Sequence, residues 1–237
     1  MKEFEKILIN LVDKYGINKS LNLLSQKITL SRKLRIDKLL KARILDLQIA
    51  VENPANPHNA AAIVRSCDAF GVFNIHAITD EKMLILQAKK TTQGAFYWLE
   101  THQHENLNLL QQKLLQLQQK YNLSQKILIA GACVDAKTSI YDLDITQPLC
   151  LLFGTESHGL STEAQNICDI KFHIPMLGMC ESFNLSVAAA VSINTILLQK
   201  KQANIMSKNL SDIQQKHLQL KYYARKIHLE KLNSLLK

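Results

Sequence analysis

The sequence predicts an α/β fold whose mainly parallel sheet carries helices on both faces, and three observations lead there. Strand-like and helix-like segments alternate throughout residues 44–198. The strand-like runs are short and apolar, Leu149–Phe153 most of all, as strands covered on both faces are. The segments richest in Gly, Ser, Asn and charge are 52–59, 131–136, 154–161 and 175–184. All four follow strands, on the side of such a sheet where ligands bind.

Each element has its own local reason. Residues 3–15 place Phe4, Ile7, Leu8, Leu11 and Val12 at helical spacing. Residues 20–42 continue helical and basic, with Arg32, Lys33, Arg35, Lys38 and Lys41 among Leu34, Leu39 and Leu40. The first strand falls at 44–51, and a loop with two prolines follows at 53–59. A helix over 59–70 is closed by Gly71. Next come a strand at 72–78, a short helix at 81–90 and a strand at 97–101. The glutamine-bearing stretch 107–121 is helical, while 126–130, 149–153 and 171–174 are strands. Residues 185–198, rich in Ala and Val, form a buried helix. Ser182, Asn184 and Ser186 stand at its loop junction, where Ser and Asn cap free N–H groups. The expected division is a basic helical extension over 1–43, a sheet domain over 44–198 and a second basic helical extension over 199–237.

Charge supports that division. The chain of 237 residues carries a formal +9. Residues 1–43 hold 11 Lys/Arg against 4 Asp/Glu, residues 199–237 hold 9 against 2, and the middle holds 9 against 14. An acidic body with two basic ends points to a polyanionic partner, and the phosphate backbone of a nucleic acid fits best. The plainer alternative is two solvated helices with surplus lysine. Five scattered cysteines (67, 133, 150, 168 and 180) without a C-x-x-C pair read as reduced thiols of a cytoplasmic protein. No apolar run reaches the roughly 20 residues that span a membrane, and the first residues lack a signal-peptide core.

Several side chains stand out for chemistry. Asn59 and Arg65 are read as near neighbours on one helix face, with small residues between, where the arginine could fork a phosphate or carboxylate. An ordinary surface arginine with a helix cap explains the same residues. The segment 151–161 feeds a strand into a loop with Gly154 and Gly159, ending at a helix cap, Ser161. It lacks both common nucleotide-loop patterns, G-x-G-x-x-G and G-x-x-x-x-G-K-[ST], which argues against a conventional dinucleotide or triphosphate site. Glu156 there suits a cationic or hydroxyl-bearing ligand, or orders loop N–H groups. His58 reads as a packing or phosphate contact. His102 and His104 form an H-x-H pair without further spaced ligands, so no metal is expected. Arg225, with Tyr222 and Tyr223, either touches RNA by charge and stacking or belongs to a helix that its tyrosines pack onto the body.

Taken together, 57–71 (P-H-N-A-A-A-I-V-R-S-C-D-A-F-G), 151–161 (L-L-F-G-T-E-S-H-G-L-S) and 174–190 (I-P-M-L-G-M-C-E-S-F-N-L-S-V-A-A-A) resemble the three ordered motifs of the SpoU branch of SPOUT RNA methyltransferases. The likeness spans about 44–198 and is strongest to the members that methylate a guanosine 2′-hydroxyl of tRNA. It implies a C-terminal deep trefoil knot, a rarity among folds, with S-adenosylmethionine bent inside it. By motif position the cofactor contacts would be Gly131, Gly154, Ile174, Met176 and Phe183. Phe183 stands where the family usually has a smaller aliphatic residue, and Gly131 where a threonine is often found. The catalytic set would be Arg65, Asn59, Ser182, Asn184 and Glu156. Arg65 would meet the 2′-oxygen, either accepting its proton or stabilising the alkoxide. The second version is the easier, since a free guanidinium holds its proton up to about pH 12 and beyond.

The resemblance further implies a homodimer packed across the knot, with one subunit's tail able to reach RNA on the other, while the charge of the extensions suits them to grip RNA phosphates. The substrate expected is tRNA at guanosine 18 of the D-loop. Alternatives are ribosomal RNA, another tRNA position, or a non-catalytic RNA-binding module.

Overall fold

A computed structural model describes residues 2–54, 56–79, 92–225, 227 and 229–236. The chain divides into two compact units, Met1–Arg43 with Asn209–Lys237, and Ile44–Lys208. No helix among the described residues is long and apolar enough to cross a membrane.

The first unit is helical. Helix α1 (Lys2–Ser25) runs well past the predicted 3–15, bending at Gly16, whose φ of 73° no ordinary helical residue adopts. Ser20 Oγ holds the bend by donating to the carbonyls of Leu11 and Gly16 at 2.8 Å each. Helix α2 (Leu30–Lys41) follows, and two further helices of this unit, α7 (Asp212–Ala224) and α8 (Leu229–Ser234), come from the other end of the chain. Both α1 and α2 pack on α7, which opens with a capping box between Ser211 and Gln214. Tyr222 and Tyr223 are buried in this unit, with Tyr223 Oη donating to Asp37 at 3.3 Å. Their rings are therefore closed to base stacking, being buried among the helices of this unit.

The second unit is a seven-stranded sheet in the order β3-β2-β1-β6-β4-β7-β5, and every pairing is parallel. Its strands are β1 (Leu47–Glu52), β2 (Asn74–Ile78), β3 (Glu100–His104), β4 (Leu128–Ala132), β5 (Thr138–Ser139), β6 (Leu149–Phe153) and β7 (Ile170–His173). Its helices are α3 (Pro57–Phe70), α4 (Leu107–Lys120), α5 (Thr162–Ile167) and α6 (Leu185–Gln202). Alternation along each strand sorts the faces. Leu47, Ile49, Val51 and Ile75 join Ile63, Val64 and Cys67 of α3 and Ala189, Ile193 and Ile196 of α6 in the main core. The residues between them on β1 and β2, Gln48, Asn74 and His76, point to the opposite face.

Two local expectations shift. Helix α3 begins at Pro57, not Asn59, because Asn56 caps it by accepting from His58 N–H at 2.8 Å. The strand expected at 97–101 lies at 100–104. Gly94, at φ 83°, starts a 3₁₀ turn over Ala95–Trp98 that uses up the aromatic run. The polar residues after it form the strand because its histidines find partners on β2: His102 meets Asn74 at 3.0 Å and His104 meets His76 at 3.0 Å. Edge strand β5 has only two residues and carries no readable pattern. The helix expected at 81–90 lies outside the described residues.

Candidate active site

A cavity of about 400 Å³ opens where the loops after β4, β6 and β7 come together. Its wall is made by residues 132–135, 153–160 and 172–174, by Met176 and 181–183, and by Leu185 and Ala188 at the start of α6. The 154–160 loop is drawn tight. Thr155 and Gly159 exchange backbone hydrogen bonds at 2.9 Å in both directions. A Cβ on Gly154 would lie 2.0 Å from the Gly159 carbonyl, so only glycine permits the close approach. The loop ends at Ser161, whose Oγ accepts from Ala164 N–H at 3.0 Å. Ser161 also donates its N–H and Oγ–H to the buried carboxylate of Glu52, at 2.9 and 2.6 Å.

Beside the cavity three polar side chains form a chain. Asn184 caps α6 by accepting from the N–H groups of Ser186 and Val187, at 2.9 and 3.4 Å. Its side-chain amide donates to Asn59 Oδ1 at 3.2 Å, and Asn59 Nδ2 in turn donates to Glu156. Glu156 belongs to the cavity wall, so the first motif touches the second and third through this one amide.

Of the residues singled out from sequence, Gly154, Glu156, Ile174, Met176, Ser182 and Phe183 line the cavity. Asn59 and Asn184 join it through the hydrogen bonds above. Two residues stand apart. Gly131, in β4, is not among the lining residues, and a Cβ there would strike Cys168 Sγ at 2.5 Å and Leu160, itself a wall residue, at 2.9 Å. Its missing side chain leaves room for both, and burial pushes the Cys168 thiol up to about 12. Arg65 is exposed on α3 and is not among the lining residues. Six residues of helix amount to about 9 Å of rise and roughly 120° of rotation, so Asn59 and Arg65 do not share the face expected of them. His58 is also exposed, which removes the packing reading.

Sequence reading missed Asp135 and Glu181, both in the wall. Each lies within a post-strand loop already marked as informative, but neither forms a recognisable spacing. Together with Glu156 they give the wall three carboxylates, and it contains no lysine or arginine. Burial, with Asp135 alongside, pushes the Cys133 thiol up, so it stays neutral near pH 7.

Residues 46–194 match the sequence model of the SpoU rRNA methylase family, which covers all three converging loops. The chain belongs to the SpoU methylase family. With membership come the family's knotted α/β fold and its class of chemistry, S-adenosylmethionine-dependent RNA 2′-O-methyl transfer. Among similar SpoU relatives, the tRNA (guanosine(18)-2′-O)-methyltransferase of Thermus thermophilus is 33% identical over 177 residues, spanning 75% of this chain and 87% of that one. The Escherichia coli enzyme of the same name is 30% identical over 175 residues, 74% of this chain and 73% of its own. The crystal structure of the A. aeolicus TrmH/SpoU tRNA modifying enzyme superposes with a TM-score of 0.71 at 28% identity, covering 84% of this chain and 98% of that one.

The cavity suits the family's cofactor on its own chemistry. A wall with three carboxylates and no lysine or arginine favours a ligand bearing a sulfonium and an ammonium group. The volume also falls within the range of about 300–1,000 Å³ usual for small-molecule pockets.

Proposed function

We propose that this SpoU methylase transfers a methyl group to the 2′-hydroxyl of guanosine 18 in the D-loop of tRNA. The observation that carries the reading is the meeting of the three motif loops at one acidic cavity, with Asn59 hydrogen-bonded to both other motifs. The names of the relatives from Thermus thermophilus and Escherichia coli support the choice of tRNA and of position 18.

When bound, S-adenosylmethionine supplies an electrophilic methyl group. The wall residues Gly154, Ile174, Met176 and Phe183 hold it, with Gly131 shaping the strand behind. Asn59, Glu156 and Asn184 fix the edge of the site, and Ser182 stands in the wall to orient the ribose. Arg65 has no hydrogen bond or ion pair to other described residues, so its fork is open to the incoming RNA. It stabilises the 2′-alkoxide as the hydroxyl proton departs to solvent.

Residues 44–198 carry the transfer, and the basic segments 1–43 and 199–237 hold RNA through phosphates. Leu177 and Met179 are fully exposed in the third-motif loop, and Phe183 and Val187 follow, each partly exposed. An apolar run of this kind on a surface calls for cover, and a second copy of the chain provides it in a homodimer.

The test is methylation of tRNA and ribosomal RNA by the purified full chain with labelled cofactor, followed by nucleotide-resolution mapping of 2′-O-methyl groups. The expected result is one modified nucleotide, guanosine 18 of tRNA. Modification elsewhere, or RNA binding without transfer, overturns the assignment.

A further inference from the structure

We infer that Glu52, which no motif contains, is a positioning residue that sets the affinity of the cofactor pocket. The inference rests on reading the cavity as the S-adenosylmethionine site.

Glu52 is the last residue of β1, and its side chain is almost fully buried. Strand β1 runs beside β6 with Val51 opposite Phe153, so Glu52 stands next to the point where the 154–160 loop leaves the sheet. Its carboxylate reaches across to the point where the loop returns, taking both donors of Ser161, 109 residues away. Ser161 does not need Glu52 in order to cap α5, because its Oγ already accepts from Ala164 N–H. The tie instead locates the returning chain. Gly159 and Leu160, immediately before Ser161, belong to the cavity wall, and Gly159 lies against Gly154 with no room for a methyl group. A displacement of Ser161 therefore passes into the wall through backbone.

Besides the Gln165 amide of α5, which donates to the Leu160 carbonyl at 3.2 Å, two holds on the loop come from the end of β1 and the start of α3. Glu52 takes the loop's end, and Asn59 takes its tip through Glu156. Between the two lies the turn with Asn53 at φ 42°, a left-handed backbone that brings strand end and helix start close together. The two holds have different consequences. Asn59 bears on the Glu156 side chain and on the cap of α6, at the edge assigned to transfer, whereas Glu52 bears on the backbone of the wall through Ser161. Loss of Glu52 should weaken cofactor binding and leave the chemical step of bound enzyme nearly intact, a split between KM and kcat.

Titration calorimetry with S-adenosylmethionine on the full chain tests this, alongside kcat at saturating cofactor. Glu52→Ala should raise Kd at least about tenfold while kcat stays within about threefold. Glu52→Gln should recover most of the affinity, since its carbonyl can accept from Ser161 N–H while its amide donates to Ser161 Oγ. Asp46→Asn serves as the structural control. Asp46 is bonded to buried Lys200 at 2.8 Å just before the other end of β1, and its loss should lower Tm without moving Kd. If Glu52→Ala fails to fold, Ser161→Ala, which removes the 2.6 Å bond together with the cap on Ala164 N–H, should still raise Kd. Unchanged Kd in the folded Glu52 and Ser161 variants overturns the inference, as does an equal rise in Asp46→Asn. Failure of the wild-type chain to bind the cofactor overturns the reading beneath it instead.

Discussion

Asn184 donates its side-chain amide to the side-chain carbonyl of Asn59 at 3.2 Å, across 125 residues of sequence. The direction of that bond is decided by the backbone. Asn184 Oδ1 is occupied by two N–H groups of α6, which can only donate, so its Nδ2 must face Asn59. Asn59 Oδ1 then accepts, and its Nδ2 is left to meet the Glu156 carboxylate. A helix cap thus orients a carboxylate two side chains away.

Replacing that amide by a carboxylate reverses one link. In Asn59→Asp an acceptor faces Glu156, and the two charges repel. Turnover should fall about 100-fold, the size seen when one well-placed donor is lost. The residual rate should rise as pH is lowered towards 5, where the introduced carboxyl takes up a proton and donates again. A pH–rate profile parallel to that of wild type would refute the orientation argued here.

Arg65 lies outside the cavity wall, so its removal should separate binding from transfer. Arg65→Ala is expected to lose turnover by about 1,000-fold while the Kd for S-adenosylmethionine stays within about twofold. Arg65→Lys should recover little, because an ammonium cannot fork. Calorimetry together with a methyl-transfer assay checks both halves, and retained turnover removes Arg65 from the mechanism.

The two glycines of the 154–160 loop should differ in kind. At Gly154 a methyl group meets Gly159 backbone at 2.0 Å and Leu160 N at 2.3 Å, atoms that cannot rotate aside. Gly154→Ala should cost about 1–3 kcal/mol of stability and most of the cofactor affinity. At Gly159, with φ 66°, nothing stands within 4 Å, so Gly159→Ala carries only backbone strain of about 1 kcal/mol. Urea unfolding and calorimetry on the pair read the difference directly.

The alternation of strands and helices was legible because a buried parallel strand is apolar throughout, and β6 shows that plainly. The converging loops were legible through their order along the chain. What local pattern could not carry were bonds between distant segments. Glu52 reads as one more charged residue at the end of an apolar run until Ser161 appears beside it. Gly131 reads as a pocket residue, yet its missing side chain makes room for Cys168 and for the wall residue Leu160. The face of Arg65 was misjudged for a simpler reason, since six residues do not complete a whole number of helical turns.

The polar face of the sheet should make the second unit sensitive to acid. His76 is completely buried between Gln48 and His104, at 2.8 and 3.0 Å. Gln48 turns its amide nitrogen towards the Leu45 carbonyl, so its Oε1 accepts from His76 Nε2–H, and His76 Nδ1 accepts from His104. That pattern requires a neutral His76 ring. Burial, with Lys113 nearby, lowers His102 from 6.5 to about 3 and His104 to about 4. Burial, with the two neighbouring histidines, also lowers His76 well below its ordinary value. Because these values lie below those of the unfolded chain, the unfolded state takes up protons first as pH falls. Stability should therefore be full above about pH 6.5 and decline towards pH 4, by up to about 1.4 kcal/mol per pH unit for each histidine. Urea unfolding at pH 7 and pH 5 measures the slope. His102→Gln, whose amide can still donate to Asn74, should make it shallower, and an unaltered slope would exclude His102 from the effect.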